Sequence, residues 1–336
     1  MNAPSTDLRQ GAGVAVHAPG RLHLGFLDPS GTLGRRFGSI GLVVEGFETV
    51  VSLQPARRDE VGADPAASGA ELERAVAWLQ RLREETGLTN PLKLRLLRTL
   101  PVHAGFGSGT QLALALGRAF AACHGLQVDT PTLARWLGRG LRSGIGIAGF
   151  DVGGLLVDGG PSPDGAPAPL LARIAWPADW RVIVVLEPAR RGLSGAQERE
   201  AIAALAPLPR ERAAEICHQV LMRLLPGAAQ ADFAAFAAGL NVVQQVLGAH
   251  FAPAQHGSPW TSPAVARLMH WLREAPGAPV ALGQSSWGPT GFAIVESARR
   301  AEDLLAAART AGVVDDALAL QVVAGRNTGA TLAAAP

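Results

Sequence analysis

Residues 101 to 117, PVHAGFGSGTQLALALG, constrain this chain most, because a turn of glycines and hydroxyls runs directly into an almost wholly apolar helix. Gly105, Gly107 and Gly109 carry no β-carbon, so the backbone there can bend into a concave nest and approach an anion closely. Ser108 and Thr110 are residues that favour helix starts. A helix opening at about Thr110 would turn its unpaired N–H groups and the positive end of its dipole into that nest. The pattern predicts a phosphate cradle. A glycine-rich turn that only caps a buried helix has the same local sequence.

Composition narrows what the cradle can belong to. Lys93 is the only lysine, so a Walker A loop, which needs Gly-Lys-Ser/Thr, is excluded, and any phosphate must be held by backbone amides, arginine and a metal. The 30 basic and 28 acidic side chains leave a formal charge of +2, so no broad basic surface is expected for nucleic acid or anionic lipid. With 48% hydrophobic and 17% charged residues over 336 positions, the chain reads as globular and long enough for two domains. Cys123 and Cys217 stand far apart, without the spacing of a zinc site or a disulfide framework. The amino-terminal MNAPSTDLRQGAG is polar, and no later run reaches the roughly 18 uncharged apolar residues of a membrane helix. The expected location is therefore cytoplasmic.

Periodicity places the cradle between other elements. Valine-rich runs predict strands at 14–16 and 42–53, flanking a glycine-rich loop from Arg21 to Gly41. A helix is expected over 71–86 and a half-exposed strand over 92–97, leading straight into the Pro101 loop. After the buried helix come a short helix at 130–138, a glycine-dense segment at 139–160 and the apolar run 155–157. The proline-rich stretch 161–169 reads as a domain joint, dividing the chain into domains 1–170 and 171–336. The second half is expected to hold a core strand at 180–186, three helical stretches over 196–249, a helix at 262–274, a strand near 280, a strand at 293–296, a helix at 298–311 and a strand at 318–323. There is no internal repeat and no extended heptad pattern.

Three further segments could carry chemistry. HAPGRLHLGFLDPSGTLGRRFGSIG, from His17 to Gly41, gathers Arg21, His23, Asp28, Arg35 and Arg36. Arginine can grip phosphate or carboxylate in a bidentate fork, and aspartate can hold a divalent metal or orient a group. His23 could act as acid, base or donor to an anion; a solvated loop with ordinary ion pairs is the plainer alternative. GIGIAG at 144–149 matches Gly-x-Gly-x-x-Gly, yet RGLRS rather than a strand precedes it and only a proline-rich loop lies about 20 positions on, so a dinucleotide site is rejected. Arg142, Ser143 and Asp151 read instead as loop residues facing what the first two loops hold, and Asp158 as the start of a turn. GQSSWGPTGF at 283–292 brings Ser285, Ser286 and Gly288 beside Trp287, either closing over a ligand or forming a hairpin turn.

Together the loops APGRLHLG, PVHAGFGSGTQLA and GQSSWGPTGFAIV resemble, in order and spacing, those of the GHMP kinase superfamily. Within it, GRLHLGFLDPSGTLGRRFGSIGLVV, the Gly-Ser-Gly-Thr-Gln of 107–111 and GRGLRSGIGIAGFDVGGLLVDGG are most similar to the β-ribofuranosylaminobenzene 5′-phosphate synthase family. The resemblance implies an α+β (two-layer α/β) fold of GHMP kinase type, with an amino-terminal ribosomal protein S5 domain 2-like domain and a carboxy-terminal ferredoxin-like domain. It implies condensation of 5-phosphoribosyl 1-diphosphate with 4-aminobenzoate or 4-hydroxybenzoate, releasing carbon dioxide and diphosphate, with magnesium; a homodimer is expected because symmetric dimers are the commonest oligomers. On it, Gly105, Gly107, Ser108, Gly109, Thr110 and Gln111 bind diphosphate, while Arg35 and Arg36, with Arg21 and Arg142, are candidates for the 5-phosphate and the benzoate carboxylate. Arg21, His23, Asp28 and Arg142 serve catalysis, and Ser108, Thr110 and Asp28 serve the metal. Ser143, Asp151, Ser285, Ser286 and Gly288 form the substrate loops. An ATP-dependent small-molecule kinase with Asp151 as its base, and a non-catalytic ligand-binding protein, remain as alternatives on the same fold.

Overall fold

The computed structural model describes residues 13–336 apart from 66, 68, 163–165 and 193–194, and not the side chains of 195–199. Two long antiparallel strands, β1 (Val14–Asp28) and β2 (Phe37–Pro55), form the spine of the first sheet, paired from Val14 against Leu53 to Asp28 against Phe37. The expected loop from Arg21 to Gly41 is thus mostly strand, and only 29–36 connects. Glycines masked the alternation there: Leu22, Leu24 and Phe26 are buried while the intervening positions hold Arg21, His23 and Gly25. The pairing register shifts between Pro19 and Arg21 and again between His23 and Gly25, where Gly25 has φ 141°. Such bulges bend a strand and re-aim its side chains. Before the first shift Val14, Val16 and Ala18 pack on the helical side of the sheet; after it Leu22 and Leu24 pack toward the second half of the chain.

The helical side carries α1 (Gly69–Thr86), α2 (Ser108–Cys123), α3 (Thr130–Trp136) and α4 (Ile145–Val152). Leu112, Leu116, Ala119 and Phe120 of α2 meet Leu79 and Leu82 of α1 and Leu133 of α3 over this face. Each of the buried leucines and Phe120 is worth about 1.5–3 kcal/mol relative to exposure. The sheet is completed by β3 (Glu60–Ala63), β4 (Leu92–Arg98), β5 (Leu155–Asp158), β6 (Leu170–Ile174) and β11 (Thr331–Ala334), in the order β11-β1-β2-β4-β3 with β5 paired to β2 and to β6. Two expectations are corrected here. The glycine-dense segment contains a helix, α4, and the described residues of the proline-rich stretch link β5 to β6 within one sheet. The chain leaves that sheet after Ile174 and returns to it at its far end, where Ala334 pairs with Val14.

The second sheet, β7 (Arg181–Leu186), β8 (Ala281–Gln284), β9 (Gly291–Val295) and β10 (Ala319–Ala324), has the antiparallel order β10-β7-β9-β8. With α10 (Ala298–Thr310) between β9 and β10, this is the order of a ferredoxin-like unit. Between β7 and β8 the chain inserts α5 (Gly195–Ala204), α6 (Arg210–Gln219), a π-helical turn Val220–Leu224, α7 (Leu225–Gln230), α8 (Phe233–Phe251) and α9 (Pro263–Glu274). Asp232 starts α8 by accepting the Ala235 N–H, and the helix packs against both β1 and β8. Its Phe236 meets Trp176 and Trp180 with ring centroids 5.5 and 5.0 Å apart, joining the two halves through one core. The fold is α+β in two layers, as the resemblance implies.

Candidate functional site

Helix α2 begins at Ser108, two residues before the expected start, because Gly107 takes the left-handed conformation (φ 75°, ψ 26°) at its cap. No side chain caps it, so the positive end of α2 opens on a cleft of about 790 Å³ lined by Gly105, Gly107, Ser108, Gly109 and Thr110. The glycines let guanidinium groups come close. A β-carbon on Gly109 would stand 2.5 Å from Arg74 Nη2, and one on Gly107 would stand 3.1 Å from Arg21 Cζ.

Five arginines, Arg21, Arg36, Arg74, Arg139 and Arg142, line this cleft, and no Asp or Glu is among the described residues that do. Each is placed by a separate element. Arg21 on β1 donates to the Gly105 carbonyl at 2.7 Å. Arg74 on α1 is gripped at 2.6 Å by Glu71, itself buried, and lies over the Trp78 ring, which Arg139 also faces. Arg36 donates to the Pro29 carbonyl and covers Phe37. Burial, with Arg74 and Arg142 beside it, holds the Arg139 pKa below its ordinary value. Cations crowded in this way are relieved by a polyanion. His23 titrates well below 6.5, first because it is buried and then because Arg21 and Arg142 are near, so it is neutral at physiological pH.

The third loop locks the other two together. Ser285 Oγ accepts the His23 N–H and donates to the Gly105 carbonyl, each at 2.8 Å, while the Thr290 hydroxyl donates to the Ala104 carbonyl. Gly288 lies so close to the Ala104–Gly105 backbone that a β-carbon there would stand 2.6 Å from Ala104 C. Asp158 does more than start a turn. It is fully buried and accepts N–H groups from Ser39, Gly144, Ile145 and Gly160 at 2.7–3.1 Å, and the Ser143 hydroxyl at 3.3 Å. Its carboxylate therefore caps α4 and fixes the Arg142–Ser143 turn on the cleft wall.

Of the residues singled out from sequence, Arg21, His23, Arg36, Gly105, Gly107, Ser108, Gly109, Thr110, Arg142, Ser143 and Ser286 line the cleft. Others do not reach it. Asp28 is buried in its own loop, accepting N–H groups from Ser30, Gly31 and Leu33 at 3.1, 2.8 and 2.6 Å, which leaves it no role at a metal. Arg35 donates to the Gly160 carbonyl; Gln111 is buried and ties α2 to α4 through the Gly146 carbonyl at 2.9 Å. Asp151 accepts the Thr130 hydroxyl and lies outside the lining, so it is not a base in the cleft. Ser285 and Gly288 position the loops instead of facing the ligand space. Arg74 and Arg139 escaped the sequence reading. Arg74 sits in an amphipathic helix that reads as solvated, whereas Arg139 stands three residues before the already suspect Arg142.

Comparison with known proteins agrees with this architecture. Residues 73–154 match the GHMP kinases N terminal domain and residues 224–314 the GHMP kinases C terminal domain. The beta-ribofuranosylphenol 5′-phosphate synthase of Archaeoglobus fulgidus is 32% identical over 296 residues, covering 84% of this chain and 88% of the relative. The protein of the same name from Methanothermobacter thermautotrophicus is 31% identical over 301 residues, covering 84% and 89%. Among solved structures, a homoserine kinase from Cytophaga hutchinsonii superposes with a TM-score of 0.65 over 99% of this chain and 100% of its own at 14% identity, a likeness of fold alone. No helix among the described residues is long and apolar enough to cross a membrane.

Proposed function

From the premise that this chain belongs to the beta-ribofuranosylphenol 5′-phosphate synthase family on a GHMP kinase fold, we propose that it joins 5-phosphoribosyl 1-diphosphate to a para-substituted benzoate with loss of carbon dioxide and diphosphate. The phenol in the relatives' names favours 4-hydroxybenzoate over 4-aminobenzoate as the aromatic substrate. The observation that carries this reading is a cleft with five arginines, an uncapped helix start and no lining carboxylate among the described residues. That is a site for a ligand bearing several negative charges.

The reaction breaks two bonds and forms one. As the ribosyl C1–oxygen bond breaks, negative charge grows on the departing diphosphate, which the first amides of α2 and the guanidinium groups of Arg21, Arg74 and Arg139 stabilise. The ring carbon bearing the carboxylate, made electron-rich by the para oxygen, forms the new bond to C1. The carbon–carboxylate bond then breaks, its electron pair restores the aromatic ring and carbon dioxide leaves. No net proton transfer is needed, so neutral His23 orients the ring and Arg142 or Arg36 meets the 5-phosphate. The magnesium implied by the resemblance would be held through the hydroxyls of Ser108 and Thr110 in the cleft, since Asp28 is taken up by its own loop. When bound it would spread the charge of the leaving group. The kinase alternative lacks a base, since Asp151 lies outside the cleft. A homodimer in the cytoplasm completes the proposal, twofold assemblies being the commonest.

The test supplies purified protein with magnesium, phosphoribosyl diphosphate and carboxyl-labelled 4-hydroxybenzoate. Labelled carbon dioxide should appear in step with diphosphate. No labelled gas, with ATP consumed on an alcohol instead, overturns the proposal.

A further inference from the structure

A second, smaller cavity of about 40 Å³ adjoins the main cleft and shares His23, Phe26 and Ser286 with it. Its far walls come from the end of α8, at Leu247, Gly248 and Phe251, and from Trp287 in the third loop. The aromatic rings are arranged around it: Phe251 and Trp287 have centroids 4.8 Å apart, Phe26 and Phe251 meet edge-on at 6.5 Å, and His23 lies 4.4 Å from Phe26. Aromatic rings placed edge to face receive a further flat ring well.

The polar groups of this annex are nearly all spent on one another. Gln244 donates to the Leu24 carbonyl and accepts the Gln284 N–H; Gln284 accepts from Thr261 and donates to Gln255 and to the Ser286 carbonyl; Gln255 donates to the Ser258 carbonyl. Two buried side-chain atoms of the described lining are left without a partner, Trp287 Nε1 and His23 Nε2. One is a donor only. The other, on an imidazole kept neutral by burial and by Arg21 and Arg142, can accept. We propose that this annex is the aryl subsite, holding the edge of the benzoate ring opposite the reacting carbon against Phe26, Phe251 and Trp287. This rests on the synthase reading. The reacting carbon carries the carboxylate and is para to the hydroxyl, so the hydroxyl end must point away from the phosphates, toward the adjoining apolar recess. A hydroxyl accepts from the Trp287 N–H and donates to His23, whereas the lone pair of an aryl amine is drawn into its ring and accepts poorly. The space suits one ring edge with one substituent, about three waters' worth, and not a second fused ring.

Two variants and one analogue test this. Trp287→Phe removes the indole N–H, and Phe251→Leu removes a ring while keeping apolar volume. In each, the KM for 4-hydroxybenzoate should rise about tenfold while that for phosphoribosyl diphosphate stays within about twofold, and Trp287→Phe should narrow the preference for hydroxyl over amine. An arene KM within about twofold of wild type in both variants overturns the proposal. Ligand-observed NMR titration of 4-hydroxybenzoate, with inorganic diphosphate present, reads the same subsite without turnover. If the variants misfold, wild-type protein decides: 6-hydroxy-2-naphthoate should fail to displace 4-hydroxybenzoate, and displacement equal to that by 4-hydroxybenzoate itself overturns the annex. Absence of carbon dioxide release from wild type refutes the synthase reading separately, because the titration still reports on the annex.

Discussion

Replacing Gly107 by alanine places one methyl group at the start of α2, and its consequences divide cleanly into strain and function. At φ 75° the residue is in the left-handed region, where a β-carbon costs about 1–2 kcal/mol, partly offset by about 0.4–1 kcal/mol from the stiffer unfolded chain. The net loss of about 1 kcal/mol should lower Tm by about 1–2 °C over a chain of this length. The new β-carbon would also stand 3.1 Å from Arg21 Cζ and 3.3 and 3.4 Å from two of its nitrogens, so the guanidinium has to retreat by a few tenths of an ångström. Arg21 is then pulled from the Gly105 carbonyl it now holds at 2.7 Å, and it meets the diphosphate off-line. Displacing a preorganised donor without removing it should cost about 10- to 100-fold in kcat/KM, short of the roughly 100- to 1,000-fold of outright deletion. Gly312→Ala supplies the control, because Gly312 has φ 67° with nothing within 4 Å of its would-be β-carbon. Both variants should melt about 1–2 °C early, and only Gly107→Ala should lose turnover. Equal turnover in the two, measured as carbon dioxide release, would refute the placement of Arg21 against the ligand.

Other consequences are as direct. Asp158→Asn must turn an amide NH2 toward two of the four backbone N–H groups that the carboxylate now accepts, costing about 2–4 kcal/mol; a thermal melt unchanged within a degree would show that the caging bonds are unimportant. For His23 the folded pKa lies well below the unfolded 6.5, so the unfolded chain takes the proton first. Stability from neutral His23 is therefore complete above pH 6.5 and is lost as pH falls from there toward the folded pKa, at up to about 1.4 kcal/mol per pH unit. Relative to His23→Gln, the wild type should lose stability between pH 6.5 and 5 in denaturant titrations, and a constant difference would contradict the assignment. Arg139→Gln should raise the KM for phosphoribosyl diphosphate about tenfold or more while the ligand-free protein melts no earlier, since it relieves the crowding with Arg74 and Arg142; an earlier melt with unchanged KM would make Arg139 a structural residue.

The sequence carried the cradle because its cause is local: glycine at a left-handed position and small hydroxyl residues at a helix start read the same way before and after folding, as Gly107 and Ser108 show. It hid the length of β1 and β2, because glycines at bulges interrupt an alternation that only the pairing of the two strands restores. Asp28 and Arg74 show the same limit from opposite sides. Asp28 had the composition of a ligand-binding residue, yet Asp-Pro-Ser-Gly-Thr is also a self-capping turn, and its carboxylate turned inward to the N–H groups of Ser30, Gly31 and Leu33. Arg74 lies in a helix whose sequence gives no sign of a site, but Glu71 and Trp78 hold it at the start of another helix. Which charged groups share a cleft depends on contacts distant in sequence. The Ser285 bridge between β1 and the central loop spans 262 and 180 positions and has no local signature.

The central claim is that α2 and its arginines hold a diphosphate that departs from ribose. Phosphorus NMR of a single reaction containing the protein, magnesium, phosphoribosyl diphosphate and 4-hydroxybenzoate, with ATP also present, tests this most directly. The account predicts that free inorganic diphosphate grows at the expense of the ribosyl diphosphate signals while a 5-phosphate ester persists and ATP stays intact. Loss of the ATP γ-phosphate signal, with phosphoribosyl diphosphate untouched, would contradict it.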